Sequence, residues 1–194
     1  MIIVAIAGLS GLIIIACNSH SSNMDSIIKN YFHINEAIGR THKGITYING
    51  NVANGYLIQI NANNDTLFLE AYINGRKQGT CYAKYPNLQY QSLQYFENGK
   101  AEGLQQTWWE NGRLKEEAYY KNDVFHGKFK EYDTNGMLTR DNNYVDGHEE
   151  GKQKMWYDNG KLRANYVVKN GRIYGLSGTM NCFNAVEKKK LSEP

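Results

Sequence analysis

Three cysteines, five histidines and 19 carboxylates are the side chains through which this chain of 194 residues could do chemistry. The thiols are Cys17, Cys81 and Cys182, and the imidazoles are His20, His33, His42, His126 and His148. A metal or a nucleophilic site would bring such groups together at short, regular spacing. The chain holds no His-x-x-x-His, Cys-x-x-Cys, Gly-x-Ser-x-Gly or phosphate loop. His126 and His148 fall in corresponding turns of neighbouring repeats, roughly 10 Å apart, with Glu149 and Glu150 beside them. Exposed turn residues explain them better than a tetrahedral ligand set. Glu116, Glu117 and Asp141 lie on strand-like stretches rather than around a cleft. The expectation is therefore no metal, no cofactor and no catalysis, since an open sheet has no pocket from which water is excluded.

Cys17 stands apart. Residues 1–16 carry no charged side chain and are mostly Ile, Leu, Val, Ala and Gly. That run is too short to span a bilayer, which takes about 20 residues, but it suits a signal-peptide core. It ends Ile14-Ile15-Ala16-Cys17 and is followed by the polar Asn18-Ser19-His20-Ser21-Ser22-Asn23. The pattern resembles the lipobox of bacterial lipoproteins. The resemblance implies a diacylglycerol on the sulfur of Cys17, removal of residues 1–16 as a signal peptide, further acylation such as palmitate, and an address in the bacterial cell envelope. Two or three acyl chains hold a protein firmly, where one is marginal. Asn18 is not the Asp that retains many lipoproteins at the inner membrane, so the resemblance favours the outer membrane, facing the periplasm or the surface. Residues 17–30 then read as a polar tether, with a short helix near Asp25, Ile27 and Ile28.

The rest of the chain is organised by a period. Gly103, Gly127, Gly151 and Gly175 are spaced by 24 residues. Asn111-Gly112, Asn135-Gly136 and Asn159-Gly160 recur at the same interval, as do Leu114, Leu138 and Leu162, and Trp108, Tyr132 and Trp156. A period of this length signals a repeat array. Unit glycines extend back to Gly79 and Gly55, giving five units over residues 55–174, the first two worn: Lys84 and Leu88 stand where later units carry an aromatic and a glycine. Residues 31–54 are expected to form an N-terminal cap, and residues 175–194 a C-terminal cap with a basic tail. Each unit reads as two strands joined at Asn-Gly, the strongest short hairpin signal, through a type I′ turn. A longer second turn, such as Asp146 to Gly151, hands the chain to the next hairpin. Every strand is expected to pair with its sequence neighbours, with no helical second layer, and Leu and aromatic columns stack along the array. The fold class is all-β: an elongated single-layer antiparallel β-meander of 24-residue hairpin repeats. On this geometry Cys81 and Cys182 lie on the order of 40 Å apart, well beyond the ~7 Å a disulfide spans.

Tyr144-x-Asp146-Gly147-x-x-x-Gly151, then Trp156 and Asn159-Gly160-x-Leu162, resembles the MORN-repeat variant of many bacterial proteins. The resemblance covers about 120 residues and implies an elongated, curved single-layer sheet that serves as a scaffold or contact surface. It is similar also to chains of the YwqK-type antitoxin-component family, which brings in an antitoxin or immunity role as an alternative. Trp108, Trp109, Tyr132, Trp156 and Tyr157 form a candidate binding face, read as a ladder on the concave side for a peptide edge, a glycan or a lipid headgroup. The formal charge of +3 is spread along the chain, and the Lys188-Lys189-Lys190 cluster reads as a solvated tail, so nucleic acid is not an expected partner. The reading that fits best is a non-enzymatic, lipid-anchored envelope protein. Its partners are the bacterial membrane, through Cys17, and an unidentified protein.

Overall fold

The computed structural model describes residues 30–177. Cys17, the short helix near Asp25, Cys182 and most of the C-terminal cap lie outside the described residues. The chain runs β1 (Tyr31–His33), β2 (Gly39–His42), β3 (Ile45–Ile48), β4 (Asn51–Val52), β5 (Gly55–Ile60) and β6 (Thr66–Ile73). It continues through β7 (Arg76–Lys77), β8 (Gly79–Lys84), β9 (Tyr90–Glu97), β10 (Lys100–Ala101), β11 (Gly103–Trp108) and β12 (Leu114–Lys121). The last six are β13 (Val124–Tyr132), β14 (Leu138–Val145), β15 (His148–Glu149), β16 (Gly151–Trp156), β17 (Leu162–Lys169) and β18 (Arg172–Leu176).

Fifteen strands form one open sheet in the order β1-β5-β6-β8-β9-β11-β12-β13-β14-β16-β17-β18, with the two-residue β7, β10 and β15 pairing back on β6, β9 and β14. From β5 onward the ladder is antiparallel throughout, and the sheet does not close. The N-terminus departs from a simple meander. β1 pairs parallel to β5, Tyr31 opposite Tyr56, because β2, β3 and β4 leave the path to make a separate three-stranded sheet. That small sheet covers the first hairpin: Ile48, Ala53 and Tyr72 are buried together, with Phe32, Ala37 and Leu57 packed around them.

The two kinds of turn are the reverse of the sequence expectation. At Asn111-Gly112 only the glycine has positive φ (78°). Gly112 N donates to Trp109 O at 2.8 Å and Trp109 N to Arg113 O at 2.9 Å. This is a three-residue loop, a type I turn closed by a glycine in the left-handed region, and Gly136 and Gly160 repeat it. The type I′ turns sit at the other end of each hairpin, where both central residues have positive φ: Asn98-Gly99 (51° and 83°), Asp146-Gly147 (47° and 82°) and Asn170-Gly171 (52° and 72°). The segment read as a long turn is therefore a tight two-residue turn, then a two-residue strand, then a break in register. The dipeptide Asn-Gly serves either turn, and the number of residues between paired positions decides which one forms.

The break is a jump of two residues. Tyr144 pairs with Glu149, but Arg140 pairs with Met155. Between them the side chain of Gln153, fully buried, substitutes for the missing ladder bonds. Its Nε2 donates to Asn143 O at 2.8 Å, and its Oε1 accepts from Asn143 N at 3.3 Å. Gln105 does the same one double-unit earlier, giving to Tyr95 O at 2.9 Å and taking from Tyr95 N at 3.3 Å. In the intervening unit Phe129 holds this place and packs on Phe125 and Tyr144. The Gln153→Leu chain keeps the volume but strands Asn143 N–H and C=O. At about 1–3 kcal/mol for each buried unpaired group, it should lose roughly 2–4 kcal/mol, read as a lower urea midpoint against wild type.

Candidate functional site: the open face of the array

Alternation along each strand gives the sheet two unlike faces. On one, Gln105, Ala118, Phe129 and Asn142 lie in a single row of cross-strand partners, and Gln153 pairs with Tyr166 further along; all six are buried. Tyr120, Phe125, Phe129 and Tyr144 form a ring cluster there, with centroids 4.7–6.1 Å apart. Glu116 and Glu131 oppose each other on the same side. Burial, and then the Glu131 charge, raise the Glu116 carboxyl above its ordinary range.

The other face is open. Leu104 is paired with Tyr119, and Tyr95, Leu104 and Tyr119 are 39%, 37% and 45% exposed. Toward the C-terminal end the row continues with Lys128 opposite Asn143 and Lys152 opposite Val167. Next to it run two ion pairs, Lys130 to Glu117 and Lys128 to Asp141, both at 3.0 Å. The hydrogen bond to Glu117 raises the Lys130 ammonium above its usual range. An apolar stretch thus gives way to a zwitterionic one along a single strip.

The residues singled out from sequence divide into two groups. Trp108, Tyr132 and Trp156 lie on the open face, each opposite a leucine: Leu114, Leu138 and Leu162. Aromatic and leucine alternate, so the three rings do not stack on one another. Instead Trp108 touches Tyr90, centroids 5.8 Å apart, and Tyr90 meets Tyr82 edge-on. A shallow pocket against Trp108 is lined by Leu88, Gln89, Tyr90 and Gly112. Leu88 takes the turn glycine's place with φ 68°. Trp109 and Tyr157 belong to the three-residue loops. Trp109 Nε1 donates to Tyr132 O at 3.1 Å in the next unit, as Tyr85 OH does to Trp108 O at 3.0 Å. The register shift leaves Lys115 and Arg163 as extra residues in bulges. Their cations sit 4.6 Å from the Trp109 ring centre and 5.9 Å from that of Tyr157. Trp109 is thus partly committed to the repeat's own joints, while Tyr157 is half exposed.

Sequence reasoning missed Tyr95, Leu104 and Tyr119. They fall at positions that vary from unit to unit, so a search for periodicity passes over them; the available signal was alternation on the strands flanking Gly103. His126 Nδ1 lies 3.1 Å from Asp146 Oδ1. Among the described residues no three His, Cys, Asp or Glu side chains converge as metal ligands.

Comparison with known families falls on the same stretch. The family model described as the MORN repeat variant matches residues 101–122, 125–146 and 149–170. Over these residues the chain is similar to MORN-repeat variant units. Their starts keep the 24-residue period, and each matched unit contains one three-residue loop and the return strand up to its type I′ turn. No curated protein matches the chain. Repeats of this variant suggest a repeat-based module for protein interaction or membrane association.

Cys81 lies on the buried side beneath Tyr72 and Glu70, and burial pushes its thiol up to about 11. Burial and the hydrogen bond to Glu149 push the Tyr166 phenol up to about 12. Both groups are held protonated by the fold, so the native state binds more protons than the unfolded one above pH 9. Stability must then fall as pH rises from about 9 to 12. In a chain carrying Cys17→Ser and Cys182→Ser, iodoacetamide at pH 8 should leave Cys81 unmodified until urea is added, and the melting temperature should drop between pH 9 and 11. Ready alkylation of the folded chain would contradict this placement.

Proposed function

We propose that this chain is a non-enzymatic lipoprotein of the bacterial envelope, held by acyl chains on Cys17, whose MORN units offer the open sheet face to a protein partner. What carries the reading is the exposed run Tyr95, Leu104 and Tyr119. Large apolar and aromatic side chains lie side by side on a rigid ladder, and the polar strip of Lys128, Lys130, Asp141 and Glu117 borders them. Aromatic anchors with a charged rim are the usual composition of an interface centre. The register locks in place the strands that hold them, so little ordering entropy is lost on docking. Trp108 and Trp156 extend the same face toward the three-residue loops. The acyl anchor and the outer-membrane address are supported by the resemblance of the residues around Cys17 to a lipobox.

Two measurements test this. Radiolabelled palmitate should enter the wild-type chain and not the Cys17→Ser chain; unchanged labelling would sink the anchor. Crosslinking in intact cells should capture a discrete partner, lost in the Leu104→Asp/Tyr119→Asp double variant while its melting temperature stays near wild type. Capture unaffected by those two substitutions would move the interface off this face.

A further inference from the structure

The small sheet has an outer face of its own. Ile48 points into the core with Tyr72 and Ala53. The adjacent residues in register, Arg40, Tyr47 and Val52, are cross-strand partners on the opposite side. Ile38 joins Arg40, Tyr47, Asn49 and Gly50 around a surface pocket. Ile38 is 69% exposed and Val52 43%. Arg40 borders the pocket and Lys43 lies in the turn between β2 and β3, while the exposed Glu36 precedes Ile38 by two residues. Between Ala37 and Asn64 the chain has no Asp or Glu, while Arg40 and Lys43 are both present. Neither cation joins a salt bridge among the described residues. An apolar patch beside cations that form no ion pair complements an apolar layer under phosphates.

The chain's path says what lies opposite. Asn30, the first described residue, donates through Nδ2 to Asn54 O at 3.4 Å, and Asn54 Nδ2 donates to Val52 O at 3.3 Å. The polypeptide therefore enters the fold beside β4. Twelve residues, and thirteen Cα-to-Cα steps, separate Cys17 from Asn30. Even fully extended they reach no more than about 45 Å, at ~3.3–3.6 Å per residue. An anchor at Cys17 keeps this end, and not the far end of the array, close to the bilayer at high effective concentration.

We propose that the outer face of β2, β3 and β4 lies on the surface of an anionic phospholipid bilayer. Ile38, Tyr47 and Val52 sit among the headgroups, and Arg40 and Lys43 meet the phosphates. The location rests on the anchor proposed at Cys17, while the face itself stands on its exposure and charge. Docked this way, the small sheet sets the base of the array, and the MORN units project from it.

The test replaces the acyl anchor, so that its outcome does not depend on lipidation. The chain from residue 17 onward, with Cys17→Ser and Cys182→Ser, is tethered through an N-terminal hexahistidine. The vesicles are phosphatidylglycerol and phosphatidylethanolamine with a nickel-chelating lipid. A fluorophore is placed on Ile38→Cys or, separately, on Leu104→Cys, and quenched by spin-labelled lipid; circular dichroism confirms that both fold alike. Quenching at position 38 should be several times that at position 104, and should fall to the same level in the Arg40→Glu/Lys43→Glu chain or in phosphatidylcholine vesicles. Equal quenching at the two positions, or stronger quenching at 104, overturns the proposal. Loss of palmitate labelling is a separate readout and bears only on Cys17.

Discussion

Neighbouring hairpins are tied to one another at their turns, and the single-layer sheet depends on those ties. In the type I′ row the second turn residue donates its N–H to a carbonyl of the preceding unit: Gly75 to Ala53, Gly99 to Lys77 and Gly147 to Phe125, each at 2.8 Å. The residue before it donates to a side chain in the position before the unit glycine, as Asn74 does to Asn54 Oδ1, Asn98 to Gln78 Oε1 and Asn122 to Glu102 Oε2. At the opposite edge the loop asparagines reach forward, Asn87 Nδ2 to Glu110 O and Asn111 Nδ2 to Thr134 O. A hydrogen bond of this sort contributes on the order of 1 kcal/mol net. Present on both margins, such bonds fix the lateral position of hairpins that no second layer clamps. They also explain why the period is strict, because one inserted residue would misalign both rows.

The second constraint is the register jump between hairpins. Skipping two residues at each joint leaves backbone amides without ladder partners, and buried unpaired amides are costly. Gln105 and Gln153 supply a side-chain amide whose donor and acceptor match those of a peptide. Phe129 meets the same joint differently, with a ring cluster built from Tyr120, Phe125 and Tyr144. One side of the sheet becomes a buried seam of Ala118, Asn142 and Ala164 between large rings. That seam takes up the small residues and leaves the larger exposed ones to the other face.

The surfaces that are free to meet other molecules lie where the repeat is irregular. The open-face trio Tyr95, Leu104 and Tyr119 occupies positions that become Lys128, Asn143, Lys152 and Val167 further along. The small N-terminal sheet has no counterpart in any unit. Its cationic, apolar outer side differs chemically from the rest of the molecule. Regular positions hold the array together, and irregular ones give this chain its exposed surfaces.

The spacing of Gly103, Gly127 and Gly151 was enough to establish strands, hairpins and an open antiparallel sheet, because those properties follow from local turn chemistry repeated at a fixed interval. The reading of Cys17 as an anchor rests on the lipobox resemblance alone and falls outside the described residues. Which Asn-Gly closes which turn was not readable from the dipeptide, since both turn types accept it and only cross-strand pairing tells them apart. The parallel pairing of β1 with β5 was hidden for the same reason: it joins segments separated by a whole extra sheet. Which face is buried, and hence whether Trp108 or Gln153 faces solvent, depended on the register jump. That jump is a property of two neighbouring hairpins in space, and no single unit's sequence contains it.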